Sequence, residues 1–212
     1  MNIFFDLDGT LLDVHKRLYC LFAEFARDVN VIPISEHEYF DKKSIGIMDR
    51  IIAADTFSSK AREYLVWKKD HIEDVSYLQM DTVIPGVNEV LSELKKKHKL
   101  FILTSRVHRE RTIDQLKKNG LVDFFVEVII TPGEDATTMK TDGLREVSLR
   151  YHLDLNQTII IGDSEVEFGV SKALGIRCIS VTSGLRGNQY FESLGQKNVV
   201  DSVRELQQVL IQ

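Results

Sequence analysis

The chain has 212 residues, 43% of them hydrophobic and 28% charged, with a formal net charge of −5. That length buries a full core and suits one domain with an insertion or two small domains, while the acidic balance offers no electrostatic footprint for nucleic acid. With two cysteines, Cys20 and Cys178, no basic-then-apolar leader and no apolar run long enough to span a bilayer, neither a disulfide framework, a signal peptide nor a membrane partner is expected, and a reducing cytoplasm fits best.

Asn2-Ile3-Phe4-Phe5 is a short apolar run that ends in Asp6-Leu7-Asp8-Gly9. It predicts a buried strand entering a tight turn, and because strand side chains alternate, Asp6 and Asp8 share a face. Two crowded carboxylates repel and lose water, so the pair calls for a shared cation or proton. From about Val14 to Met80 the pattern is helical: Leu18, Leu21, Phe22, Phe25 and Val29 recur at helical spacing, as do Ile47, Met48, Ile51 and Ile52, then Tyr64, Leu65, Trp67 and Ile72. Such a stripe reads as the inside of a small helical bundle. Lys42 to Ile47 lie between helical patterns, either as a loop facing the strand ends or as a plain connection.

After Asp81, helix and strand alternate. A loop at Val83–Val87 enters a helix through Leu91 and Leu94, and Lys99–Leu103 is a strand. A helix over Ile113–Lys118 and a strand near Val126–Ile130 follow, then a helix around Leu144–Leu149, the strand Thr158–Ile161, a helix over Val170–Leu174 and the strand Cys178–Val181. Strands separated by helices predict βαβ units: an α/β fold with a doubly wound, Rossmann-like parallel sheet. The first strand belongs to this sheet, so the expected division is a core of residues 1–14 and 81–212 with an inserted α-helical domain, 15–80.

Chemistry in such sheets gathers at the carboxyl ends of the strands. Thr104 and Ser105 end one strand, where a hydroxyl and free N–H groups can hold a phosphate oxygen, although taken alone they read as a helix cap. Lys140, placed after the loop 131–135 and before the helix at Leu144, has an ammonium that can balance a phosphoryl group and Asp6. Asp163, with Glu165 and Glu167 one turn on, can complete an all-oxygen site for a hard cation. Arg106 and His108 read as rim or surface residues, and His71 is given no role.

Asp-Leu-Asp-Gly-Thr-Leu at residues 6–11 resembles the first signature of the haloacid dehalogenase superfamily, most of whose members are magnesium-dependent phosphatases. Thr104 resembles its second motif, Lys140 its third, and Asp163 with Glu167 its fourth. The helical insertion is similar to the cap of the branch that holds phosphoglycolate phosphatase and β-phosphoglucomutase. The resemblance implies Asp6 as nucleophile and Asp8 as general acid and base. It also implies phosphate binding by Thr104, Ser105 and Lys140, and Mg2+ held by Asp6, the Asp8 carbonyl and Asp163, with Glu167 close by. Two departures stand out: Glu167 replaces the usual aspartate, and Lys140 is followed by Thr141 where proline is common. The implied activity is hydrolysis of a small phosphorylated metabolite. A phosphosugar mutase and a non-catalytic phospho-ligand binding module are the alternatives, and neither the ester nor the oligomeric state is fixed.

Overall fold

The computed structural model describes residues 1–210. Strand β1 (Asn2–Phe5) is buried along its whole length, as a run of four residues without alternating polarity must be when both faces of a sheet are covered. It lies at the centre of a six-stranded sheet with β4 (Lys99–Thr104), β5 (Glu127–Ile130), β6 (Thr158–Gly162), β7 (Arg177–Val181) and β8 (Val199–Val200), in the order β5-β4-β1-β6-β7-β8. All neighbours are parallel, the doubly wound arrangement that the sequence pattern predicts. β8 has two residues, too few for any periodicity to show in the sequence.

Side-chain alternation divides the core in two. Phe4, Phe101 and Ile160 face Leu144 and Val147 of α8 (Ala136–Arg150) and Val170 of α9 (Glu165–Leu174), with the Phe4 and Phe101 rings stacked 4.7 Å apart. Ile3, Phe5, Ile102 and Ile161 face the other way, toward Leu91 and Leu94 of α6 (Val87–Lys95) and Leu206 of α11 (Leu206–Leu210). α7 (Arg109–Lys118) and α10 (Asn188–Ser193) complete the outer layer. Each fully buried Phe or Ile contributes about 1.5–3 kcal/mol.

Five α-helices lie between Asp13 and Thr82: α1 (His15–Asp28), α2 (Glu36–Ser44), α3 (Asp49–Phe57), α4 (Ala61–His71) and α5 (Val75–Leu78). They enclose an aromatic cluster in which Phe22 lies 5.0 Å from Phe57 and Phe25 lies 5.7 Å from Trp67. The two connections between this block and the sheet run side by side as a small antiparallel ribbon, β2 (Leu12–Asp13) against β3 (Thr82–Val83). Lys42, Lys43 and Ser44 finish α2, which Ser35 caps at its start, instead of forming a loop, and Lys43 turns inward to pair with Asp49 at 3.0 Å. Only the residues after them turn away, through Gly46 at φ +89°.

No helix among the described residues is long and apolar enough to cross a membrane.

Candidate active site

Register alone brings the chemistry together. Phe5 pairs with both Ile102 and Ile161, and the Asp6 N–H donates to the Ile161 carbonyl at 2.8 Å. The ends of β1, β4 and β6 therefore lie side by side where strand order reverses, the switch point at which open α/β sheets bind ligands. Asp6 follows β1 directly, Thr104 ends β4, and Asp163 follows β6. Together with Asp8, Ser105 and Lys140 they line a cavity of about 1360 Å³ whose lining also includes Asp49, Arg50, Leu65, Lys68 and Lys69 of the helical block.

Gly9 holds the turn after β1 at φ +82°, a left-handed conformation that side chains resist. A Cβ on Gly9 would lie 2.2 Å from Asp163 Oδ2 and one on Gly184 2.1 Å from the same atom. Two bare backbones thus cradle that carboxylate, and the Leu185 N–H donates to its Oδ2 at 2.7 Å.

Lys140 lies within α8, whose N-cap Asp135 starts the helix earlier than the apolar pattern suggests. That places the ammonium between two acids, 2.5 Å from Asp6 Oδ1 and 2.6 Å from Glu167 Oε1, with the lysine side chain 4% exposed. The second Glu167 oxygen accepts from the Ser164 hydroxyl at 2.8 Å. Both oxygens of Glu167 are therefore engaged, and its extra methylene carries the carboxylate to Lys140.

Charge at the site is unbalanced. Burial pushes the Asp6 carboxyl up to about 7 against the pull of Lys140, with Glu167 adding to the rise. Burial together with the Asp6 and Glu167 charges holds Asp163 well above the ordinary carboxylate range. Burial disfavours the Lys140 ammonium, yet Asp6 and Glu167 outweigh it and keep the lysine firmly protonated. Asp8 is the opposite case: burial would raise it, but Arg106 and Arg17 hold it below the usual range.

Among the described residues no three His, Cys, Asp or Glu side chains form a ready-made metal cluster. What the site offers is two mutually repelling carboxylates, Asp6 and Asp163, with the Asp8 backbone on the same turn. That is an oxygen-only donor set of the kind hard divalent cations take, and the glycine cradle fixes one of its members.

The sequence placed Arg106 at the rim or surface; it is 4% exposed and grips Asp8. Arg17, Asp81 and Arg186 carried no signal at all, since a lone charged residue in a helical or loop pattern looks the same whether it is solvated or buried against a distant partner.

Buried acids around the carboxyl end of a central parallel strand, paired directly with a buried lysine beside a cavity that the helical block also lines, suit a hydrolase of the phosphoryl-transfer kind. A sequence model described as "Haloacid dehalogenase-like hydrolase" matches residues 3–181, and the chain belongs to that family. It is 25% identical to a phosphoglycolate phosphatase of Vibrio parahaemolyticus, covering 98% of this chain and 95% of that one. It is also 22% identical to the pyrophosphatase PpaX of Bacillus mycoides, covering 99% and 96%. Among solved structures, a haloacid dehalogenase-like family hydrolase of Streptococcus pneumoniae superposes with a TM-score of 0.81 at 19% identity, covering 99% of this chain and 97% of that one. The chain is thus a hydrolase of the phosphatase type.

Proposed function

We propose that the chain is a magnesium-dependent phosphatase that hydrolyses a small organic phosphate monoester through a phosphoaspartyl intermediate on Asp6. The observation that carries this reading is the position of Asp6: buried at the end of the central strand, paired with Lys140 at 2.5 Å, and lining the same cavity as Asp8, Thr104 and Asp163.

Asp6, the Asp8 carbonyl and Asp163 would hold Mg2+, which when bound offsets the repulsion between the Asp6 carboxylate and an anionic ester. Glu167, with both oxygens engaged, serves the site through Lys140. Asp6 attacks phosphorus in line, and the Thr104 hydroxyl, the Leu7 and Ser105 N–H groups and the Lys140 ammonium hold the equatorial oxygens as charge spreads over them. Asp8, ionised under Arg106 and Arg17 before the ester arrives, takes up a proton as the anionic ester binds beside it, gives that proton to the departing oxygen, then takes one from the water that cleaves the phosphoaspartate. Residues 15–80 act as a cap over a core of 1–14 and 81–212, excluding water while the ester reacts. Arg50 and Lys69 on the cap wall favour an anionic leaving group, Lys68 beside them being paired with Asp49 at 2.7 Å, in keeping with relatives named for phosphoglycolate. The enzyme works in the cytoplasm on a phosphorylated metabolite, with no nucleic-acid or membrane partner.

The test is phosphate release from a panel of small esters, with and without Mg2+ and with no bisphosphate activator. The parent is expected to release phosphate only with the metal, and Asp6→Asn, still folded, to release none. Near-parental turnover by that variant overturns the assignment, and a requirement for a bisphosphate points to a mutase.

A further inference from the structure

Two guanidiniums hold Asp8, one from the loop after β4 and one from α1 of the helical block. Arg106, two residues past Thr104, places Nη2 2.5 Å from Asp8 Oδ1 and Nε 3.0 Å from Oδ2, a fork that fixes the plane of the carboxylate. Arg17 of α1 adds Nη2 at 2.7 Å to Oδ1.

Neither arginine is free to turn. Arg106 Nη1 donates to Gln115 Oε1 at 2.5 Å, and the Gln115 amide nitrogen donates to the Leu78 carbonyl at 2.7 Å and to Asp81 Oδ2 at 2.9 Å. Arg106 Nη2 also reaches Asp81 Oδ2 at 3.4 Å. Arg17 Nη1 donates to the Ile72 carbonyl at 3.1 Å, while its Nε lies 3.0 Å from Asp81 Oδ1 without the alignment of a hydrogen bond. The guanidinium of Arg106 has five N–H groups; contacts to Asp8, Gln115 and Asp81 engage four of them, leaving little for a substrate anion.

Burying two guanidiniums at 2% and 4% exposure costs desolvation that apolar side chains would avoid. The cluster orients something in return, and what it grips is the carboxyl two residues past Asp6. It also leaves the two oxygens of that carboxyl unlike: Oδ1 accepts from both guanidiniums and Oδ2 from one, so Oδ2 keeps a lone pair for a mobile proton.

We infer that Arg106, seconded by Arg17, is the positioning residue of the proton-transfer step, holding Asp8 so that Oδ2 faces the departing oxygen. The inference rests on the reading of Asp8 as acid and base given above. In the first half-reaction Asp8, ionised between its two guanidiniums until the ester arrives, takes up the proton of the ester monoanion and passes it from Oδ2 to the departing oxygen as that oxygen's bond to phosphorus breaks and the bond from phosphorus to Asp6 forms. In the second, the same oxygen takes a proton from the water that attacks the phosphoaspartate, and Asp6 leaves with its own electron pair. Through its bonds to Ile72 and Asp81, Arg17 makes this orientation depend on the helical block being seated.

The experiment compares kcat and KM for two esters: the alkyl phosphate that the parent turns over fastest, whose alkoxide needs a proton to depart, and 4-nitrophenyl phosphate, whose phenolate does not. Arg106→Ala is expected to lose about 100-fold in kcat on the alkyl ester, in the range of general acid catalysis, and less than about fivefold on the aryl ester. KM should stay within about threefold for both. Arg106→Lys should recover part of the alkyl rate. Gln115→Leu, which keeps the guanidinium but frees it, should show the same selective loss in smaller measure, and it decides the matter should Arg106→Ala fail to fold. Equal losses on both esters, a loss confined to KM, or no loss at all would overturn the inference. Asp6→Asn separates the two levels: if it is inactive while Arg106→Ala loses both esters equally, only the positioning role falls, whereas an active Asp6→Asn removes the underlying mechanism.

Discussion

Replacing Lys140 by methionine tests the electrostatics of the site without changing its volume much. Its ammonium is the shared partner of Asp6 and Glu167, at 2.5 and 2.6 Å, in a pocket where the lysine side chain is 4% exposed and that of Glu167 1%. Removing one member of a buried pair leaves its partner charged and unpaired, at a cost of about 3–5 kcal/mol. For a chain of this size that corresponds to a fall in Tm of roughly 6–20 °C. The loss should depend on pH. Asp6 has an ordinary value of 3.8 and sits at about 7 when folded, so the folded state binds its proton more tightly than the unfolded one. The stability linked to this group is fully present below 3.8 and is lost as pH rises through 7. Without the lysine that pulls it down, Asp6 stays protonated to still higher pH. At pH 5.5 it is neutral in both proteins and the variant loses only the Glu167 pair, while at pH 8 the parent gains an ionised, paired Asp6 and the variant has an Asp6 that must keep its proton or ionise without a partner. Thermal denaturation followed by circular dichroism should therefore show a larger deficit at pH 8 than at pH 5.5. A deficit under about 2 °C at pH 8, or one independent of pH, would refute the pairing.

Three further outcomes follow from the same geometry. Mg2+ alone should raise the Tm of the parent at pH 8 and much less at pH 5.5, since it needs Asp6 and Asp163 ionised; absence of any shift at pH 8 in millimolar Mg2+ would speak against these ligands. Gly184→Ala, whose Cβ would collide with Asp163, should raise the Mg2+ concentration needed for half-maximal activity at least tenfold with a Tm change of a few degrees, so unchanged metal dependence would contradict the cradle. Arg186 joins Glu165 at 2.7 and 2.9 Å to the Lys43 carbonyl at 2.8 Å, tying core to helical block; Arg186→Ala should speed amide hydrogen exchange across residues 43–48, and an unaltered pattern there would remove that tie.

The sheet was legible because its strands are wholly apolar runs broken by helical spacing, and the positions of Asp6, Thr104 and Asp163 followed from the rule that chemistry sits at strand ends. Lys140 was found as a residue but placed outside its helix, since the helix begins on the polar stretch Ala136–Thr141, where no apolar stripe announces it. Glu167 illustrates a limit of another kind: the sequence shows an acid one turn past Asp163, but only the folded chain brings both its oxygens onto Lys140 and Ser164. Arg17, Asp81, Arg106 and Gln115 form one buried polar cluster assembled from four separate segments, and nothing local to any of them distinguishes it from surface. The two-residue strands β2, β3 and β8 are made by tertiary pairing and leave no trace in periodicity.

The central claim is that phosphorus is bonded to Asp6 for part of each turnover. Quenching the enzyme during steady-state hydrolysis, reducing with borohydride and mapping peptides by mass spectrometry reads this directly, because an aspartyl phosphate is reduced to homoserine while a free carboxylate is untouched. The account predicts homoserine at position 6 and nowhere else, dependent on substrate. Reduction at another residue, or none at position 6 while turnover proceeds with the ester present, would contradict it.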